Sequence, residues 1–89
     1  MSMDRIVIEV EVNNEWCHLT TYPYSASRTT NAKVSDRKTT YCRQGAINEA
    51  INAVDKWRRY HRYQDCKFRV VDCFHDRNSH EMPTRSIIQ

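Results

Sequence analysis

The sequence predicts an α+β domain in which an antiparallel sheet of three strands, or four, packs on one long helix in the order β-β-(β)-α-β. Three observations carry that expectation. Residues 5–12, RIVIEVEV, alternate apolar and polar positions as a half-buried strand does. Residues 43–63, RQGAINEAINAVDKWRRYHRY, have the 3.6-residue period of an amphipathic helix. Residues 66–74, CKFRVVDCF, form a short apolar run rich in the residue types that strands favour.

The elements follow in chain order. In the first strand Ile6, Ile8, Val10 and Val12 share one face, and Arg5, Val7, Glu9 and Glu11 the other. Asn13-Asn14 comes next, and asparagine tolerates the positive φ that a two-residue hairpin turn demands. Glu15 to Tyr24 then returns as the second strand. A regular ladder sets Val10 opposite Cys17, Ile8 opposite Leu19 and Ile6 opposite Thr21 on the apolar face. Glu11–Trp16, Glu9–His18, Val7–Thr20 and Arg5–Tyr22 then face outward. Residues 25–42 are polar, basic and aperiodic, so they form either an extra edge strand at about Lys33–Thr39 or a functional loop. Thr39 or Thr40 is the expected N-cap of the helix. On the helix, Ala46, Ile47, Ala50, Ile51, Val54 and Trp57 share the core face. In the last strand Cys66, Phe68 and Val70 join the core. Lys67 and Arg69 face outward near Glu9 and Glu11, which orders the strands 2-1-3 with the helix over one face. Residues 75–89 read as a polar tail whose Ile87-Ile88 pair either docks back or meets a second copy.

Composition narrows the class. Eighty-nine residues make one domain, 1–89, and a hydrophobic share of 39% makes a modest core, so a monomer or a homodimer is expected. No run approaches a membrane span and no signal segment is recognisable, which predicts a cytoplasmic protein without membrane contact. In that setting Cys17, Cys42, Cys66 and Cys73 are expected to be reduced thiols that pack as small apolar residues. The net charge of +3 is uneven. Residues 1–24 carry one basic and four acidic groups (−3), 25–45 five and one (+4), 46–64 four and two (+2), and 65–89 four of each.

Chemistry-bearing patterns are few. Cys66, Cys73, His75 and His80 lie close in sequence, but their Cys-x6-Cys-x-His-x4-His spacing is not that of a structural zinc site. There is no P-loop, dinucleotide fingerprint, HExxH or nucleophile signature, and no RNP, GXXG or C2H2 pattern, so a non-enzymatic protein without cofactor or metal is expected. What stands out is the end of the helix. Arg58 falls within the apolar face, and Trp57, Tyr60 and Tyr63 interleave Lys56, Arg58, Arg59 and Arg62, with Asp55 as the one offsetting acid. Arginine among aromatic rings is the composition of protein hot spots and of nucleic-acid grooves. Arg37 and Lys38, in the basic stretch before the helix, are expected to extend this surface, with threonine hydroxyls at Arg28-Thr29-Thr30 and Lys38-Thr39-Thr40 as phosphate donors. Trp16, with Tyr22 beside it on the open sheet face, is a second candidate contact.

The hairpin Arg5–Tyr24, the helix Arg43–Tyr63, the strand Cys66–Phe74 and the lack of a catalytic motif together resemble small phage-encoded inhibitors of bacterial defence, the anti-CRISPR proteins, in size and architecture. That resemblance implies a binding protein that occludes a host protein or nucleoprotein complex, and it assigns no particular residue. The basic charge adds direct binding of DNA or RNA as the alternative.

Overall fold

A computed structural model describes residues 4–74 and 84–89. The α+β class holds, and the main sheet has four strands, the fourth coming from the expected tail rather than from residues 33–39. Its strands are β1 (Asp4–Val12), β2 (Glu15–Tyr24), β5 (Phe68–Phe74) and β6 (Thr84–Ile87), in the spatial order β2-β1-β5-β6. Each neighbouring pair is antiparallel. A separate two-stranded ribbon, β3 (Ala32–Ser35) and β4 (Lys38–Thr40), precedes α1 (Arg43–Trp57), the one α-helix among the described residues. The stretch expected as one edge strand or a loop is therefore a hairpin of its own. It joins the main sheet at one parallel bridge, Tyr24 to Tyr41.

The first hairpin turns at Asn13 and Asn14 with φ of 53° and 66°, as the sequence predicts. Its register is as expected from Glu11–Trp16 to Glu9–His18 and then changes. Leu19 is a bulge, so Ile8 pairs with Thr20, Val7 with Thr21 and Ile6 with Tyr22. One extra residue moves everything after it to the other face. Tyr22, expected on the open face beside Trp16, instead lies on the helix side, against the core and edge-on to Tyr41. Cys17 keeps its predicted partner Val10 but is exposed.

The core lies between sheet and helix. Ile6, Ile8 and Val70 meet Ala46, Ile47, Ala50 and Val54. Ala46 and Ala50 are wholly buried, and their small side chains let the helix backbone approach the strands. Burying each of the large aliphatic side chains contributes about 1.5–3 kcal/mol. The terminal isoleucines divide. Ile88 packs against this core, its amide donating to the Val70 carbonyl at 2.8 Å, while Ile87 stays 64% exposed on the other face. The end of the expected polar tail is thus the fourth strand of the sheet.

The helix differs from expectation at both ends. Its N-cap is Cys42 rather than Thr39 or Thr40, with Sγ accepting from the Gly45 amide at 3.3 Å. Asn31, at the base of the ribbon, accepts from the Cys42 amide at 3.1 Å, and a Cβ on Gly45 would overlap its carboxamide. Gly45 is there because Asn31 comes that close. At the other end α1 stops at Trp57, six residues before Tyr63, and a short 3-10 turn covers His61–Tyr63.

One charged group is buried in the helix-facing layer. Asp72, next to Ile6 in the register, accepts from the Tyr24 hydroxyl at 2.7 Å and from Arg43 Nε at 2.8 Å. This bond network ties β2, β5 and the first turn of α1 together.

Candidate functional site

The site residues expected from the sequence fall in three places. The first is the end of α1. Tyr60 takes an extended conformation (φ −71°, ψ 130°), which no helix can continue. Its ring then packs on Trp57 at 5.4 Å between centroids. Trp57 also meets Tyr63 at 5.9 Å, and Tyr63 meets Phe68 of β5 at 6.2 Å, both edge-on. The favourable geometry of such pairs, repeated through four rings, offsets the helical bonds given up. Arg58 is the C-cap of the helix, with helical dihedrals and its amide donating to the Val54 carbonyl at 3.0 Å, and its exposed side chain reaches past the apolar face. Its guanidinium lies 5.8 Å from the Phe68 ring centre, and that of Arg62 lies 5.6 Å from the Tyr63 ring centre. Asp55 does not offset the arginines: among the described residues it pairs with neither Arg58 nor Arg59. Lys56 and Arg59 are exposed and form no ion pair among the described residues, and Tyr60 is 59% exposed.

Beside this end runs a cleft of about 270 Å³ between β2 and α1, walled by Tyr22, Trp57 and Tyr60 and floored by Glu49, Asn52 and Lys56. The helical spacing of 49, 52 and 56 puts those polar groups on one face. Burial, with the Glu49 carboxylate and Tyr41 phenol nearby, pushes the Tyr22 phenol above its ordinary pKa. Sequence reasoning missed Tyr22 as a member of this surface because the Leu19 bulge decides which face it takes.

The second place is the β3–β4 ribbon, which holds Arg37 and Lys38. It is rooted beside the N-terminus of α1 through Asn31, while Lys56 lies in the last turn of α1 and Arg58, Arg59 and Arg62 follow its end. Fifteen residues of α-helix separate the two ends by about 22 Å. No hydrogen bond, ion pair or ring contact joins Arg37 or Lys38 to the helix end among the described residues. The basic residues expected to form one surface are therefore rooted at opposite ends of α1.

The third is the open face of the sheet. The register lays it out in rows: Trp16–Glu11, then His18–Glu9–Arg69, Thr21–Val7–Val71–Ile87, and Pro23–Arg5–Cys73–Arg85. Charge pairing across β1 and β5 is as predicted. Glu9 accepts from Arg69 Nε at 2.7 Å, and also from Arg85 of β6 at 2.7 Å. His18 sits opposite Glu9 as expected, and its ring is hydrogen-bonded to the Thr21 hydroxyl at 2.6 Å. Trp16 is no open platform, because the Arg69 guanidinium sits 4.2 Å above its ring. Val7, Val71 and Cys73 are buried in the middle of this face.

The cysteines are unpaired thiols among the described residues. Cys66 precedes β5 and Cys73 lies within it, while His75 and His80 fall outside the described residues. No cluster of potential metal ligands occurs among the described residues, and no helix there is long and apolar enough to cross a membrane. No protein-family profile matches the chain, and no curated protein or solved structure matches it with significance.

Proposed function

We propose that this chain is a non-enzymatic binding protein that docks the end of α1 on a host protein or nucleoprotein complex and blocks it sterically, as its anti-CRISPR-like architecture implies. One observation supports this above the others. Tyr60 is more than half exposed yet held in place by Trp57, with Lys56 and Arg59 exposed beside it and without a carboxylate partner among the described residues. A rigid aromatic side chain loses little conformational freedom on binding, and tyrosine and arginine are enriched in protein hot spots. The adjoining cleft adds three aromatic rings and the polar side chains of Glu49, Asn52 and Lys56, which can fix orientation.

The test is capture from a bacterial host lysate with nuclease present, comparing the wild-type chain with Tyr60→Ala and Arg59→Ala. One dominant protein retained by the wild type and lost from both variants is expected. Recovery that nuclease abolishes altogether would end the protein-docking reading. The alternative, direct binding of DNA or RNA at the same end, draws on the Trp57–Tyr60 ring pair as a stacking platform. A gel shift at low salt that shows no complex with single-stranded DNA or RNA would remove it.

A further inference from the structure

The chain makes an excursion that its fold does not require. It leaves β2 at Tyr24 and returns to pair Tyr41 with Tyr24, the Ser25 amide donating to the Tyr41 carbonyl at 2.9 Å. A link from β2 to α1 needs only a few residues. Residues 25–40 instead build a ribbon in which every residue from Lys33 to Thr39 is exposed. A two-stranded ribbon without a buried face is marginal on its own. This one is pinned at its base by Asn31 to Cys42 and stands clear of the core.

Its chemistry is one-sided. Arg28, Lys33, Arg37 and Lys38 against Asp36 give +3, equal to the net charge of the whole chain. The one ion pair here, Lys33 to Asp36 at 3.8 Å, joins two exposed side chains and exchanges readily for another anion. Thr29, Thr30, Thr39 and Thr40 add hydroxyl donors. The register skips Val34, a bulge residue 63% exposed between Lys33 and Ser35, so an apolar side chain projects near the tip. Strands about 4.8 Å apart with side chains on either side match the major groove of B-DNA, about 12 Å wide, which admits a two-stranded ribbon.

We infer that the β3–β4 ribbon is a duplex-DNA-binding arm that enters the major groove, with Lys33, Arg37 and Lys38 on the flanking phosphates and Val34 toward the groove floor. This surface is separate from the end of α1, so the inference goes beyond the docking proposed above and does not depend on it. Charge decides the occupant: a +3 arm with no apolar face is matched by a polyanion.

Fluorescence anisotropy of a short labelled duplex across a salt series tests it. Three phosphates neutralised give a slope of log K against log salt of about −3. The variant Lys33→Ala/Arg37→Ala/Lys38→Ala is expected to lose at least tenfold in affinity at low salt and to flatten the slope by about three. Arg59→Ala/Tyr60→Ala should leave both unchanged. Thermal unfolding checks the ribbon variant, and Arg37→Gln/Lys38→Gln, with a slope flattened by about two, replaces it if it unfolds. No duplex binding at low salt overturns the inference, as does a slope that the ribbon variants leave unchanged. Tighter binding to single strands than to duplex overturns groove entry. So does nuclease-resistant capture of a protein through these same side chains, which would make the arm a protein contact. Loss in the Arg59/Tyr60 variant alone would also overturn it, and would move nucleic-acid binding to the helix end.

Discussion

Replacing Arg43 with methionine isolates the role of the buried carboxylate. Asp72 has a side chain 2% exposed and two partners, the Tyr24 hydroxyl and Arg43 Nε, and Arg43 alone brings charge. Methionine keeps the length of the side chain and removes the cation. The carboxylate is then left in an apolar layer beside Ile6, with one neutral donor. Breaking a buried pair in this way costs about 3–5 kcal/mol, and the lower figure applies because the Arg43 side chain is itself 52% exposed, so water can follow it in. For a domain of this size each kcal/mol moves the midpoint by about 4–8 °C, so Arg43→Met is expected to lower Tm by about 12 °C or more. Asp72→Asn is the informative partner. It removes the charge, keeps an acceptor for Tyr24 and frees Arg43 to water, so it costs about 1–2 kcal/mol. The double variant should cost less than the sum of the two, since the second change has no pair left to break. Urea unfolding with an unchanged m-value supplies all three numbers. An Asp72→Asn cost equal to or above that of Arg43→Met would refute the reasoning, because solvent rather than Arg43 would then be what supports the carboxylate.

Other outcomes follow from the same geometry. Burial and the hydrogen bond to Asp72 raise the Tyr24 phenol above its ordinary pKa, so the unfolded chain releases that proton first. Stability from this group is therefore full below about pH 10 and falls above it by up to about 1.4 kcal/mol per pH unit. Tyr24→Phe should remove that part of the alkaline loss, as urea titrations at a series of pH values will show. Gly45→Ala should destabilise by about 1–2 kcal/mol despite alanine's higher helix propensity, because Asn31 must leave the cap. Adding Asn31→Ala removes the overlap, so the double variant should be no less stable than Asn31→Ala alone; a further loss would refute the clip. Asn14→Gly, at a φ of 66°, should stabilise by a few tenths to about 1 kcal/mol, and a loss would show that the asparagine side chain matters.

The parts legible in the sequence are those set by local pattern. Alternation in residues 5–12, the Asn-Asn turn and the opposite charges of Glu9 and Arg69 were sufficient to order β2-β1-β5 and to cover one face with α1. The parts that escaped depend on groups far apart in the chain. Thr20 and Thr21 are interchangeable on either face, so nothing around Leu19 announces the bulge that swings Tyr22 to the helix. No glycine or proline marks the end of α1. Trp57, Tyr63 and Phe68 decide it by packing, and Phe68 comes from another strand. Thr84–Ile87 is too short and polar to read as a strand until β5 offers it an edge. For the candidate site, residue types were readable and neighbourhood was not. Arg37 and Lys38 share a composition with Arg58 and Arg59, and the length of α1 keeps their roots apart.

The closed neck at Tyr24 and Tyr41 separates two kinds of change that a lineage can accumulate. Lengthening or shortening the chain beyond Asn31 costs little more than loop-closure entropy, about 0.6 kcal/mol for each doubling, because no core residue is drawn from it. Charge and reach at the tip can therefore drift while the sheet and helix stay under their own constraints. Such a division suits a protein whose partner is itself changing, since new specificities can be sampled without first being made stable.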